Sequence, residues 1–273
     1  MQPTDDTTVL TKHFFVAGHA QEIALRTYRP YPKASVLPIV VYFHGGGFVG
    51  GLLDDADYTA TAIAMGTPAW VVSVGYSLAP RFPFPAALED GYCATHWAVT
   101  NARQHGADAR RIGVAGHDAG GNLATCLAAM ARDRGEFSFA AQALLAPLLD
   151  PSMTRMADER EVPSADLGAS ECARGYWAYL PLASNRMHPY AAPIESRRLK
   201  GLPPALIASA QNDLLHVEAE KYAGELIAAG VPTEVTRHNN ASRQALATNP
   251  TVLADVSAFF AKRLVFRPGN DFA

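Results

Sequence analysis

Along the chain, short apolar runs alternate with longer stretches whose apolar residues recur at helical spacing. After a polar start, "KHFFV" and "EIALRTYRP" flank a short glycine-containing link, which predicts an antiparallel strand pair leading into the buried strand "LPIVVYFH". Further strands are predicted at "AWVVSVGY", "RIGVAGH", "FAAQALLAP", "PALIASAQ" and "TEVTRH". Between them the helical pattern covers residues 54 to 65, 85 to 105, 119 to 134, 215 to 229 and about 250 to 263. Strands alternating with helices imply an α/β fold with a mostly parallel sheet covered by helices on both faces. One segment breaks the alternation. From Asp150 to about Lys200, methionines, aromatics and prolines mix in "GYWAYLPL" and "HPYAAPI", the composition of an insertion over the C-terminal edge of the sheet.

Composition narrows the picture. With 273 residues, 49% of them hydrophobic, the chain can bury one large core, and the expectation is a single domain over 1–273 with a small cap insertion at 150–200. The 23 Lys and Arg nearly balance the 26 Asp and Glu, so no strong field draws the chain to nucleic acid or an anionic membrane, and small-molecule partners are expected. The start "MQPTDDTTVL" has neither a basic nor an apolar targeting region, and no later run reaches the roughly 18 apolar residues of a membrane helix. A soluble, cytoplasmic protein without a membrane span is the expectation. Cys93, Cys126 and Cys172 have no metal-ligand spacing and read as small buried residues in a reducing compartment; neither metal nor cofactor is expected.

Two motifs carry chemistry. "HGGGF", His44 to Phe48, directly follows an apolar strand, and its glycines let the backbone turn with N–H groups facing outward, as in the oxyanion hole of lipases and esterases; the alternative is a flexible turn. The second motif, "RIGVAGHDAGGNL", is a strand, a turn of small residues and a helix start, the layout of a nucleophile elbow with Asp118 at its apex. A helix N-cap would explain the acid, but not the glycines on both sides of it.

These blocks, with "GYSLAPRFPFPAALEDGY", "LLAPLLD", "HPYAAPI" and "GLPPALIASAQNDLL", resemble the successive blocks of the hormone-sensitive-lipase-like carboxylesterases from about Phe14 to Leu264. The resemblance implies an α/β-hydrolase fold, an oxyanion hole at Gly45, Gly46 and Ala119, and triad positions at 118, 213 and 243. It leaves open a homodimer formed through the last strand and helix. At the chemistry the chain departs from the family. Asp118 stands where the family has its serine, His117 where it has the preceding acid, and Arg243 where the histidine pattern falls when Arg237 and Asn240 are laid on the family's arginine and glycine. Asp213 matches the family acid. Gly75, Ser77 and Arg81 replace three charged residues of the "DYRLAPE" block.

A serine hydrolase needs a hydroxyl and a histidine that deprotonates it. Arginine cannot serve as that base, because its pKa exceeds about 12 and it has no acceptor. The elbow also resembles the G-H-D-W-G-G elbow of epoxide hydrolases and haloalkane dehalogenases, where a carboxylate attacks an sp³ carbon and a histidine activates the hydrolytic water. Only His216 and His238 lie near enough in sequence to help. A third possibility is structural: Arg243 bridges Asp118 and Asp213, and Asp118 fills the oxyanion hole. This last arrangement leads to the expected function, an esterase-like homologue without serine-esterase turnover that keeps a pocket for a small, largely apolar molecule, lined by Phe48, Leu52, Tyr176, Trp177, Tyr179 and Tyr190. The competing expectation is an active hydrolase of small esters, epoxides or haloalkanes that uses Asp118 as nucleophile or base.

Overall fold

The computed structural model describes residues 8–31, 36–160 and 162–264. Eight strands form one sheet: β1 (Thr8–Ala17), β2 (Glu22–Tyr31), β3 (Leu37–Phe43), β4 (Trp70–Gly75), β5 (Ala107–His117), β6 (Ala141–Leu145), β7 (Ala205–Asn212) and β8 (Thr233–Ser242). Their order is β1-β2-β4-β3-β5-β6-β7-β8. β1 pairs antiparallel with β2 and β2 with β4, and every later pairing is parallel. The alternating pattern thus yields the mostly parallel sheet it predicts, with an antiparallel edge from the two amino-terminal strands.

Helices α1 (Asp57–Gly66), α2 (Ala86–Asn101), α3 (Ala119–Arg134), α4 (Ala169–Tyr179), α5 (His216–Ala228), α6 (Arg243–Leu246) and α7 (Pro250–Arg263) cover the sheet. The strand period of two divides the core between its faces. On one face Ile39, Val41 and Phe43 of β3 pack with Ala87 and Leu88 of α2, Leu123 and Leu127 of α3, and Tyr222 and Leu226 of α5. On the other, Val40 and Tyr42 pack with Ala60 and Ile63 of α1 and with Val256 and Phe260 of α7. Central strands need apolar residues on both faces, which is why β3 is buried along its whole length.

The first helical pattern, 54 to 65, resolves into a 3₁₀ turn at Leu53–Ala56 followed by α1. Within 150–200, the segment that breaks the alternation, α4 and two 3₁₀ turns at Ala183–Met187 and Pro193–Glu195 are formed. The parallel arrangement brings the C-terminal ends of β3, β5, β7 and β8 to one side of the sheet, and these ends carry His44 to Phe48, Asp118, Asp213 and Arg243 respectively.

Candidate functional site

Between β5 and α3 the chain makes the sharp turn that the glycines foretell. A Cβ on Gly116 would lie 2.0 Å from the Gly120 carbonyl oxygen, so the strand and the helix start approach more closely than side chains permit. Asp118 sits at the apex with φ 55° and ψ −119°, a conformation that costs a non-glycine residue roughly 1–3 kcal/mol. It is fixed by backbone bonds on every side. Its N–H donates to the Leu145 carbonyl at 2.9 Å, and its carbonyl accepts from Gly121 at 3.0 Å and Leu148 at 3.2 Å.

The Asp118 side chain turns toward the triple-glycine loop, where Oδ2 accepts from Gly46 N at 3.0 Å and Gly47 N at 2.8 Å. The Ala119 N–H, at the start of α3, also donates to this carboxylate. The donor pair in the loop is therefore Gly46 and Gly47, where the sequence pointed to Gly45 and Gly46. Gly45 itself packs against the His117 ring, whose Nδ1 a Cβ at 45 would meet at 2.7 Å.

Arg243, at the start of α6 directly after β8, is 1% exposed, and its guanidinium reaches both other triad positions. Nε and Nη2 donate to Asp213 Oδ1 at 3.0 and 2.6 Å. Nη1 donates to Asp118 Oδ1 at 3.5 Å and to Cys172 Sγ at 3.0 Å. Asp213 Oδ1 also accepts from Leu215 N at 3.1 Å. Asn240, laid on a family glycine by the sequence, has φ 58°, the left-handed region that glycine favours.

Burial alone would push the Asp118 carboxyl up; the charge of Arg243 and the backbone N–H donors outweigh it and hold the group below the ordinary aspartate range. Burial works against the Arg243 charge too, and Asp213 and Asp118 more than compensate, so the guanidinium stays protonated. Burial raises the Cys172 thiol, with Arg243 pulling the other way.

A cavity of about 530 Å³ opens above these groups. Its lining includes Gly46, Gly47, His117, Asp118, Cys172 and Arg243, with Val49, Leu148 and Leu167 as apolar wall and Glu171, Arg174 and Gln244 beside them. None of the six residues expected to line a pocket is in this lining. Phe48, Tyr176 and Tyr179 are core: Phe48 stacks on Tyr179 at 4.1 Å between ring centroids and packs on Tyr176 at 5.5 Å. Leu52 and Trp177 are on the surface, and the Tyr190 hydroxyl donates to Asp133 Oδ2 at 2.6 Å. The reason is direction, because composition records that aromatics are present and not which way the backbone aims them. His117 was legible as a departure from the family and stands in the lining, its Nε2 2.8 Å from the Arg243 carbonyl. His216 and His238 are outside the lining. Cys172 had a signal, since Cys172, Gly175, Tyr176 and Tyr179 follow the helical period that buries one face of α4.

A parallel sheet that carries a strained elbow, a glycine-rich loop and an acid at the ends of its strands defines an α/β-hydrolase. A family model described as alpha/beta hydrolase fold matches residues 40–245. Esterase LipI of Mycobacterium tuberculosis is 42% identical over 228 residues, covering 82% of this chain and 70% of that protein. The crystal structure of EstE1, a thermophilic carboxylesterase cloned from a metagenomic library, matches with TM-score 0.89 and 30% identity over 95% of this chain and 91% of that one. The hyperthermophilic esterase from Pyrobaculum calidifontis matches with TM-score 0.87 and 35% identity, over 94% and 85% of the two chains. The chain belongs to the carboxylesterase family of α/β-hydrolases. Among the described residues no helix is long and apolar enough to cross a membrane.

Proposed function

We propose that this chain is an esterase-like homologue that does not turn over esters as a serine hydrolase and uses its cavity to bind a small molecule with a largely apolar body. The observation that carries the reading is the placement of one guanidinium between Asp118 and Asp213, with Asp118 Oδ2 on the loop N–H groups. In a serine hydrolase those donors wait for the oxyanion of a tetrahedral intermediate. Here the protein's own carboxylate takes them, and the group at the base position has no lone pair with which to accept a proton. Asp118 and Asp213 keep the guanidinium paired in a buried site, where an unpaired charge is costly.

The test is a turnover screen of the purified protein with p-nitrophenyl esters of several acyl lengths, an epoxide and a haloalkane, alongside labelling by a fluorophosphonate probe. The expected result is negligible turnover and no label. Stoichiometric labelling of one serine overturns the reading, and so does turnover of any substrate that Asp118→Ala abolishes. Support against the aspartate-nucleophile route comes from the histidines: His216 and His238 are outside the cavity lining, and His117 Nε2 is engaged with a carbonyl oxygen.

A further inference from the structure

The replacement at 118 changes the polarity of the cavity floor as well as its reactivity. Loop donors that would greet a carbonyl or carboxylate oxygen are bonded to Asp118 Oδ2, so an incoming acceptor finds them taken. What the floor offers instead is an acceptor. Asp118 is 3% exposed and lines the cavity, and its Oδ1 accepts from Arg243 Nη1 at 3.5 Å, near the outer limit of a hydrogen bond. Arg243 Nη1 is nearer to Cys172 Sγ, at 3.0 Å. Behind it, Asp213 Oδ2 is buried and has no hydrogen-bond partner among the described residues.

The charge at the floor favours the same kind of ligand. Two carboxylates share the one guanidinium of Arg243 at the floor. At the mouth Glu171, whose Oε2 accepts from Gly168 N at 3.1 Å, stands with only a loose 3.9 Å pairing to Arg174. Glu171 and Arg174 offset each other at the mouth, beside His117, so the excess lies at the floor, where Asp118 and Asp213 face the one guanidinium of Arg243 and a ligand carboxylate would add a further anion. A cation would relieve the excess and could donate to Asp118 Oδ1, a charge-assisted bond of the stronger kind. Val49, Leu148 and Leu167 provide apolar wall for the rest of the molecule, within a volume ordinary for small-ligand sites.

We propose that this cavity binds a small primary amine, its ammonium on Asp118 Oδ1 and its apolar body against Val49, Leu148 and Leu167. The inference rests on the reading that Asp118 holds the loop N–H groups as a fixed anion. Calorimetric titration with three chain-matched probes, hexylamine, 1-hexanol and hexanoate, tests it at neutral pH and low salt. Hexylamine is expected to bind tightest. Hexanoate should be weaker by about tenfold or more, because it forgoes the charge-assisted hydrogen bond and brings a like charge to the floor. Asp118→Asn should abolish the preference for the amine. Because that change leaves Arg243 with one carboxylate and can disturb the fold, Glu171→Gln at the half-exposed mouth is the second variant; it should weaken hexylamine roughly two- to fourfold, as a partly screened charge does, and leave 1-hexanol unchanged. Hexanoate binding as tightly as hexylamine, equal binding of all three, absence of hexylamine binding, an amine preference that survives in folded Asp118→Asn, or a hexylamine affinity unchanged in Glu171→Gln would each overturn the proposal. Ester turnover is measured separately. A protein that hydrolyses esters ends the reading of Asp118 as a fixed anion, whereas an inert protein that prefers hexanoate ends the amine inference alone.

Discussion

Arg243 is one of the largest fully buried side chains in the protein, and it is charged. Its burial is tolerable only because Asp213 and Asp118 both face it; truncation would strand two buried carboxylates without their guanidinium. Arg243→Ala is therefore expected to destabilise the fold by about 3–5 kcal/mol, the cost of breaking a buried ion pair from one side. Urea denaturation checks this, and an unchanged midpoint would contradict the burial of the pair. Glu218, in the first turn of α5, is buried without such a partner. Its Oε1 accepts from Leu149 N at 2.8 Å, while Oε2 has no partner among the described residues. Burial pushes this carboxyl well above the ordinary glutamate range; the Leu149 N–H and Arg243 lower it, and Asp150 and Asp213 raise it further. Between its unfolded value, about 4.3, and its raised folded value, the folded chain keeps the proton that the unfolded chain has released, so the group subtracts stability as pH rises through that window. Glu218→Gln keeps an acceptor for Leu149 and has no proton to lose. The variant should gain on the parent as pH rises from about 5 to about 8, and denaturation midpoints at the two ends report the difference. A gap that narrows with pH would mean that Glu218 is ionised in the fold.

At the scale of elements, α4 decides the shape of the cavity. It lies so close to the triple-glycine loop that a Cβ on Gly175 would sit 2.5 Å from the Gly47 carbonyl oxygen, a backbone atom with little room to yield. Gly175→Ala should push helix and loop apart, at about 1–3 kcal/mol for overpacking, and disturb the Gly47 N–H that holds Asp118. Thermal melting measures the first effect; a melting temperature equal to the parent's would show that the helix can slide without cost. The same helix marks the limit of what the residue pattern revealed. Strands and helices of the α/β layers were legible because period 2 and period 3.6 extend over whole elements there, and α3 was bounded correctly at 119–134. Between 150 and 200, proline, methionine and aromatic residues obscure a helix of only 11 residues. That positions 118, 213 and 243 come together was legible too, because each follows a strand whose ends fix where the next residue stands. The pocket wall was not. It depends on which way α4 faces, and aromatic content predicted Tyr176 and Tyr179 as ligand contacts where helix periodicity puts them in the core.

The whole molecule keeps the frame of an α/β-hydrolase around a buried cluster of two carboxylates and one guanidinium. Asp118 comes from the β5–α3 turn, Asp213 from the end of β7, Arg243 from the start of α6, and the loop N–H groups from the end of β3; four segments distant in sequence converge because parallel strands end on one side of the sheet. The strand order, more than the identity of residues 118 and 243, sets that convergence, so the combined replacement Asp118→Ser with Arg243→His should produce measurable esterase activity. Removing the carboxylate frees Gly46 and Gly47 N–H to receive an oxyanion, and Asp213, which now accepts a guanidinium N–H at 2.6 Å, can accept an imidazole N–H and fix its tautomer. Neither change suffices alone. With only the first, a hydroxyl faces a guanidinium that cannot take its proton; with only the second, an imidazole lies between two carboxylates and no hydroxyl is present. Activity of the double variant should fall short of a native esterase, because His117 occupies the place of the family acid and the shell that aims the new histidine was shaped around a longer side chain. Hydrolysis of p-nitrophenyl acetate and butyrate by parent, single and double variants decides the matter. A folded double variant no more active than either single would show that the frame no longer aims these positions at a common point, and that the site has been reshaped beyond its two replaced residues.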